Sequence, residues 1–305
     1  MRTWLALSVG AVLAISALSG CDDHDSKTEE ASAKAPHREA ASPASRLGVG
    51  WQTTADGKLS TWSFAGDSQL GQSSTFESIR AALASNMLPP RDSVRVADLI
   101  DRAVQAAPAE DAAEQSTVIM TTTPWNDHTW LLWVAVNGLQ PAGGAKVTVE
   151  FDPKVVAAFR PLGDVAALPD PRANAGRAEM LYELSPQPNE EQPARVTYAV
   201  LHVVRADAPT RQFDRAVTGT DFIDSIDNAP DRVRFATAVA GFGGLLRGDP
   251  AVRDLSCADV IALAESAGQP DPDGRRNQMI ELMRKAEPLI DQPATSASST
   301  EDQTR

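Results

Sequence analysis

The chain has 305 residues, a formal net charge of −13, 42% hydrophobic residues and only two cysteines. So acidic a balance argues against a nucleic-acid partner, whose phosphates are held by clustered Lys and Arg, and against a polybasic hold on anionic lipid. Its plain consequence is a solvated acidic surface that resists self-association.

Taken in chain order, Met1-Arg2 leads into an apolar, small-residue run from Leu5 to Ala17, the layout of an export signal. That run is too short to cross a bilayer, which takes about 20 apolar residues. It ends in Leu18-Ser19-Gly20-Cys21, which resembles the lipobox of bacterial lipoproteins. The resemblance implies removal of residues 1–20, a diacylglyceryl thioether on Cys21, and a chain held on a membrane without a transmembrane helix. It would face the periplasm, and Asp22 resembles the signal that retains such proteins on the inner membrane. Fatty chains contribute about 0.8 kcal/mol per buried methylene, so lipid on Cys21 is a sufficient anchor when two such signals act together.

Residues 22–46 hold Asp, Glu, Lys, Ser, Ala and Pro with almost nothing large and apolar, and read as a flexible tether carrying His24 and His37 as solvated side chains. Residues 292–305 read the same way. With Cys21 assigned to lipid, Cys257 has no partner for a disulfide, and stability must come from packing. Its place on the apolar side of a helix predicts a buried thiol.

Between tether and tail the periodicity alternates. Leu47–Gln52 and Lys58–Phe64 read as short strands around the Asp56-Gly57 turn. Ser74 and Glu77 form a capping pattern ahead of Phe76, Ile79 and Leu83, a helix that should stop before Leu88-Pro89-Pro90. A second helix follows Asp92, with Val96, Leu99, Ile100, Ala103 and Val104 on one face. Thr117–Thr123, Thr129–Val136, Ala145–Phe151, Arg177–Leu184 and Ala194–Val204 read as strands. Three helices close the chain: Val233 to Leu246, Val260 to Ala264, and Met279 to Leu289, the last bent or ended by Pro288.

Particular segments carry a family resemblance. Leu88-Pro89-Pro90-Arg91-Asp92-Ser93-Val94-Arg95-Val96 is similar to the N-terminal flank of the YfbK-type von Willebrand factor A lipoproteins. The likeness returns at Pro124-Trp125-Asn126, at 147–153 and at Leu181-Tyr182-Glu183, and is strongest over Arg234 to Gly248. Relatives of this kind carry a von Willebrand A domain between the strands that here end near Val136 and begin near Ala145. Only residues 137–144 stand in that place. The metal-binding Asp-x-Ser-x-Ser loop of that domain has no counterpart, so its chemistry is carried over to no residue. The resemblance thus implies an N-terminal flank over 47–136 and a C-terminal region over 145–291. With an inserted domain absent, strands 129–136 and 145–151 are expected to pair as an antiparallel hairpin.

Candidate chemistry is sparse. Gly241-Phe242-Gly243-Gly244 lacks the spacing of a dinucleotide or phosphate loop and reads as close helix packing. His128 and His202 have no nucleophile elbow or metalloprotease helix to join. Trp125, Trp130 and Trp133 form a candidate interaction surface, although alternation sets Trp130 opposite Trp133. The expected fold is α+β, a β-sandwich-like platform with an N-terminal helix pair and a C-terminal three-helix region. The expected protein is a non-catalytic envelope lipoprotein without cofactor or metal, partnered by the membrane through Cys21 and by an envelope protein. A periplasmic hydrolase or carbohydrate-binding protein using the Trp-rich strands is the alternative.

Overall fold

The computed structural model describes residues 50–64, 75–103, 116–137, 145–163, 178–188, 196–205, 212–268 and 270–291, all within one compact unit. The segments expected to be export signal, tether and tail, Cys21 among them, and residues 138–144 lie outside the described residues. The chain opens with strands β1 (Gln52–Thr53) and β2 (Leu59–Phe64), then helices α1 (Thr75–Ala84) and α2 (Val96–Ala103). Strands β3 (Ser116–Thr123), β4 (Asn126–Val136), β5 (Ala145–Phe151), β6 (Val156–Pro161), β7 (Ala178–Pro186), β8 (Thr197–Arg205), β9 (Gln212–Thr218) and β10 (Phe222–Ile223) follow. Helices α3 (Asp231–Arg247), α4 (Cys257–Ser266) and α5 (Arg275–Ile290) complete it. The fold is α+β.

One sheet runs β1-β6-β7-β4-β3-β10 and the other β2-β5-β8-β9; every neighbouring pair is antiparallel except β3 with β10. Alternation along β4 explains how they stack. Trp130, Leu132, Val134 and Val136 join the core between the sheets, while Leu131, Trp133 and Ala135 join a second core beneath the helices. The six-stranded sheet is therefore the middle of three layers, covered by helices on one face and by the four-stranded sheet on the other. Between the sheets Phe151 stacks on Phe159 with ring centroids 4.2 Å apart. Tyr182 Oη there accepts from Trp62 Nε1 and donates to Ser60 Oγ across the gap.

The helices sit where their apolar faces predict. Phe76 and Ile79 of α1 and Val96, Leu99 and Ile100 of α2 enter the helical core. Helix α3 is buried on nearly every side and ends at Gly248, whose φ of 66° is the left-handed cap glycine favours. Pro288 stands within the last turn of α5, which ends at Ile290.

One pairing departs from expectation. Strand β4 is not in a hairpin with β5: both edges of β4 are taken, by β3 and β7, and both edges of β5, by β2 and β8. The two strands lie in different sheets, so the chain changes sheet between Val136 and Ala145. The turn after β1 does form, with Asp56 N and Gly57 N donating to Thr53 O, but it too carries the chain from one sheet to the other. It packs beside the β5–β6 corner, where Thr54 Oγ1 donates to Val156 O at 2.6 Å.

Candidate functional site

Strand β7 supplies the unusual feature. Its odd residues, Glu179, Leu181 and Glu183, point under the helical layer, which puts two carboxylates into an apolar core. Glu183 is 1% exposed. Its Oε1 accepts from Trp125 Nε1 at 3.0 Å and from Thr129 Oγ1 at 2.8 Å, and its Oε2 accepts from Arg160 Nε at 2.7 Å. Arg160, 4% exposed on neighbouring β6, also donates through Nη1 to Asp249 Oδ2 at 2.5 Å. Asp249 follows the end of α3 and caps the short turn Pro250–Val252 by accepting from Ala251 N.

A second cluster repeats the plan. Glu179 Oε2 accepts from Trp133 Nε1 at 3.1 Å, and its Oε1 lies 2.6 Å from Arg232 Nε in the first turn of α3. Each carboxylate is thus met by one indole N–H and one guanidinium. Helix α3 is tied to the middle sheet at both ends, by Arg232 at its start and by Asp249 just past its end. Charges as deeply buried as those of Glu183 and Arg160 persist only when paired and hydrogen-bonded; here the two clusters fix how α3 lies on the sheet.

Beside Arg160 a cleft of about 450 Å³ opens, lined by Gly50, Trp125, Arg160, Gly163, Arg247 and Asp249 among others. That volume suits a small ligand. Its central charges, however, are spent on one another: Arg160 on Glu183 and Asp249, and Asp249 on Arg160 and Ala251 N.

The tryptophans expected at an interaction surface are instead interior. Trp125, Trp130 and Trp133 are 7%, 5% and 3% exposed. The physical reason is that from Thr129 onward β4 is covered on both faces: Trp130 packs edge-on to Tyr198 between the sheets, and Trp133, like Trp125 just before the strand, lies under the helices. His128 and His202 are not brought together. His128 is exposed at the start of β4, whereas His202 on β8 lies on the outer face of the other sheet, with Nδ1 2.8 Å from Asp214 Oδ1 and Nε2 3.4 Å from Glu150 Oε2. The Lys58 ammonium beside Glu150, with His202 adding to it, holds that carboxyl below its ordinary range.

The glycines of α3 are explained by close packing. An added Cβ would come within 2.9 Å of Leu255 at Gly241, 2.7 Å of Val96 at Gly243 and 2.9 Å of Val252 at Gly244. Cys257 is fully buried, and burial first, then Asp291 and Glu287, pushes its thiol up to about 12. Among the described residues no group of three or more His, Cys, Asp or Glu side chains is placed to hold a metal ion.

The chain is thus a three-layer α+β protein locked by buried ion clusters under its helices. Residues 176–289 match the family model described as the C-terminal region of the uncharacterized protein YfbK, and this part of the chain is a YfbK-type C-terminal region. No curated protein and no solved structure matches the chain. Sequence reading missed Arg160, Glu179, Arg232 and Asp249. It named Trp125 as part of a family-like segment and of an interaction surface, and Glu183 only as part of such a segment, yet those segments and α3 are what the ion clusters bring together. The available signal was a strand, Glu179 to Leu184, whose polar alternate face lacked the Lys and Thr of a solvated one.

Proposed function

We propose that the chain is a non-catalytic envelope lipoprotein, held on a membrane by lipid on Cys21, whose folded body serves as a protein-interaction or scaffold module. In this reading it is a reduced relative of the von Willebrand A lipoproteins, standing on the periplasmic side with an envelope protein as partner. The observation that carries the non-catalytic part is the saturation of the cleft. Arg160, Glu183 and Asp249 are bonded to one another, so the buried charges beside the cleft serve to tie α3 to the sheet. The YfbK-type C-terminal region and the Leu18-Ser19-Gly20-Cys21 motif support the family and the anchor. The hydrolase or carbohydrate-binding alternative draws no support from three tryptophans that are buried.

The test is metabolic labelling with a radioactive fatty acid, followed by membrane fractionation and crosslinking in intact envelopes, with the native chain and Cys21→Ala. Label and membrane association should be lost in the variant, and a defined envelope protein should crosslink only to the native chain. Membrane association that survives Cys21→Ala without label would sink the anchor. Turnover of a glycan or ester by the purified chain would sink the non-catalytic reading.

A further inference from the structure

Large apolar side chains stand clear of the described surface at Leu59, Met87 and Leu88, which are 53%, 60% and 40% exposed. Met87 and Leu88 are adjacent and sit on a shaped bend. The end of α1 is closed by Ser85 N and Met87 N donating to Ala82 O, and Asn86 turns the chain at a φ of 55°. Pro89, immediately beyond, is buried and pins the other side. Two neighbouring apolar side chains held out from this bend form a small exposed apolar tip.

The fold places this bend beside the chain's entry point. Gly50, where the described chain begins, lines the same cleft as Arg247 and Gly248. The Arg91 guanidinium rests on Gly248, where an added Cβ would lie 2.9 Å from its Cζ. Leu88 is three residues from Arg91, a separation of at most about 10 Å. Met87, Leu88 and Arg91 therefore lie at the Gly248 end of α3, whose cleft Gly50 also lines. The 28 residues between Cys21 and Gly50 can hold that end no more than about 100 Å from an anchored Cys21.

We infer that Met87 and Leu88, flanked by Arg91, rest on the anionic phospholipid surface to which Cys21 is anchored. The inference rests on the lipoprotein reading. A chain of net charge −13 is repelled from such a surface on average, so the end turned toward it must differ from the rest. This end does, by setting an apolar tip three residues from the exposed Arg91 guanidinium. The contact would orient the body and turn the outer face of the four-stranded sheet, with its exposed Leu59, elsewhere.

The experiment uses the lipidated full chain in phosphatidylethanolamine and phosphatidylglycerol vesicles, with an environment-sensitive fluorophore on Met87→Cys or, for comparison, on Leu59→Cys. Cys21 is blocked by its lipid and Cys257 is buried, so the introduced thiol takes the label. The expected result is blue-shifted emission at position 87, quenched by brominated lipid and diminished by Arg91→Glu, with no change at position 59. A water-like spectrum at position 87 on chains that float with the vesicles overturns the inference and leaves the anchor standing. Chains that do not float overturn both, by failure of the anchor. Shielding in native envelopes but not in protein-free vesicles also overturns it, because the occupant is then a protein.

Discussion

Glu183 is where the architecture is most exposed to a single change. Glu183→Ala removes the acceptor for Trp125 Nε1, Thr129 Oγ1 and Arg160 Nε, and leaves Arg160, itself 4% exposed, with Asp249 as its remaining ionic partner. Breaking a buried pair by deleting one partner costs about 3–5 kcal/mol. For a body of this size each kcal/mol shifts the midpoint by roughly 2–4 °C, so a fall of about 10 °C is expected. Glu183→Gln keeps the shape and one acceptor oxygen but turns an amide N–H₂ toward Arg160, and should cost about 1–3 kcal/mol. Glu183→Leu with Arg160→Met removes both charges, and should recover most of the loss. Asp249 can then turn to water, since its side chain is 24% exposed, and it keeps its cap on Ala251 N. The assay is urea unfolding followed by circular dichroism, with an unchanged m-value as the check that only stability moved. A Glu183→Ala loss below about 1 kcal/mol, or a double variant no more stable than that single one, would refute the account of a buried pair that must be kept or removed whole.

Gly243→Ala should destabilise by about 1–3 kcal/mol, because its Cβ meets Val96 at 2.7 Å, and Val96→Ala should restore much of the loss; unfolding of the double variant decides. Gly268→Ala, with only Asp231 Oδ2 at 3.7 Å, should be close to neutral in the same assay. Cys257 should resist alkylation at pH 8 until urea unfolds the chain, and labelling of the native protein would contradict its burial. Its raised value stabilises the fold fully below the ordinary 9.0 of the thiol, and that contribution is lost as pH rises toward 12, because the unfolded thiol gives up its proton first. The stability difference between the native chain and Cys257→Ala should therefore narrow across that interval. Glu150→Gln on the outer sheet face should change stability by less than about 1 kcal/mol, since its pairs with Lys58 and His202 are solvated; a larger loss would show the outer network to be structural.

Much of the fold was legible because burial follows period. The faces of α1 and α2, the three closing helices, and β5 at Ala145–Phe151 all lie where apolar spacing puts them. The failures have physical causes. Val156–Pro161 is a strand with two alanines and an inward arginine, and Gln212–Thr218 is an edge strand whose alternation is broken by Asp214 and Arg215, so neither shows a β pattern. The hairpin expected of β4 and β5 ignored a visible contrast. Trp130–Val136 is apolar without interruption, as suits a strand covered on both faces, while Ala145–Phe151 alternates as one with a solvent face does. Two such strands belong to different layers. The ion clusters were illegible for a related reason: alternation says that Glu179 and Glu183 share a face, but not that helices distant in sequence will cover it.

The unit that folds is larger than the region that matches a family model. Residues 176–289 contain β7 to β10 and most of the three closing helices. Yet β7 lies between β6 and β4, β8 has β5 on one side, and β10 pairs only with β3, so neither sheet is complete without strands from residues 52–161. The ion clusters cross the same boundary: Glu183 and Asp249 fall inside the matched region, and Arg160, Trp125 and Thr129 outside it. A fragment of residues 176–289 would leave two carboxylates without their indole donors and β7 without either neighbour. It should show no cooperative unfolding, whereas residues 50–291 should unfold in one transition. A sharp transition in the short fragment would mean that its helices and strands form a core unaided, contrary to the layering described above. The junction between β4 and β5 then acquires a particular meaning. It is one of the places where the chain passes from the middle layer to the outer one, and under the family resemblance it is where relatives carry an additional domain. A domain inserted there would be held by two strands already fixed in different sheets, so its two connections would be anchored through both layers of the sandwich.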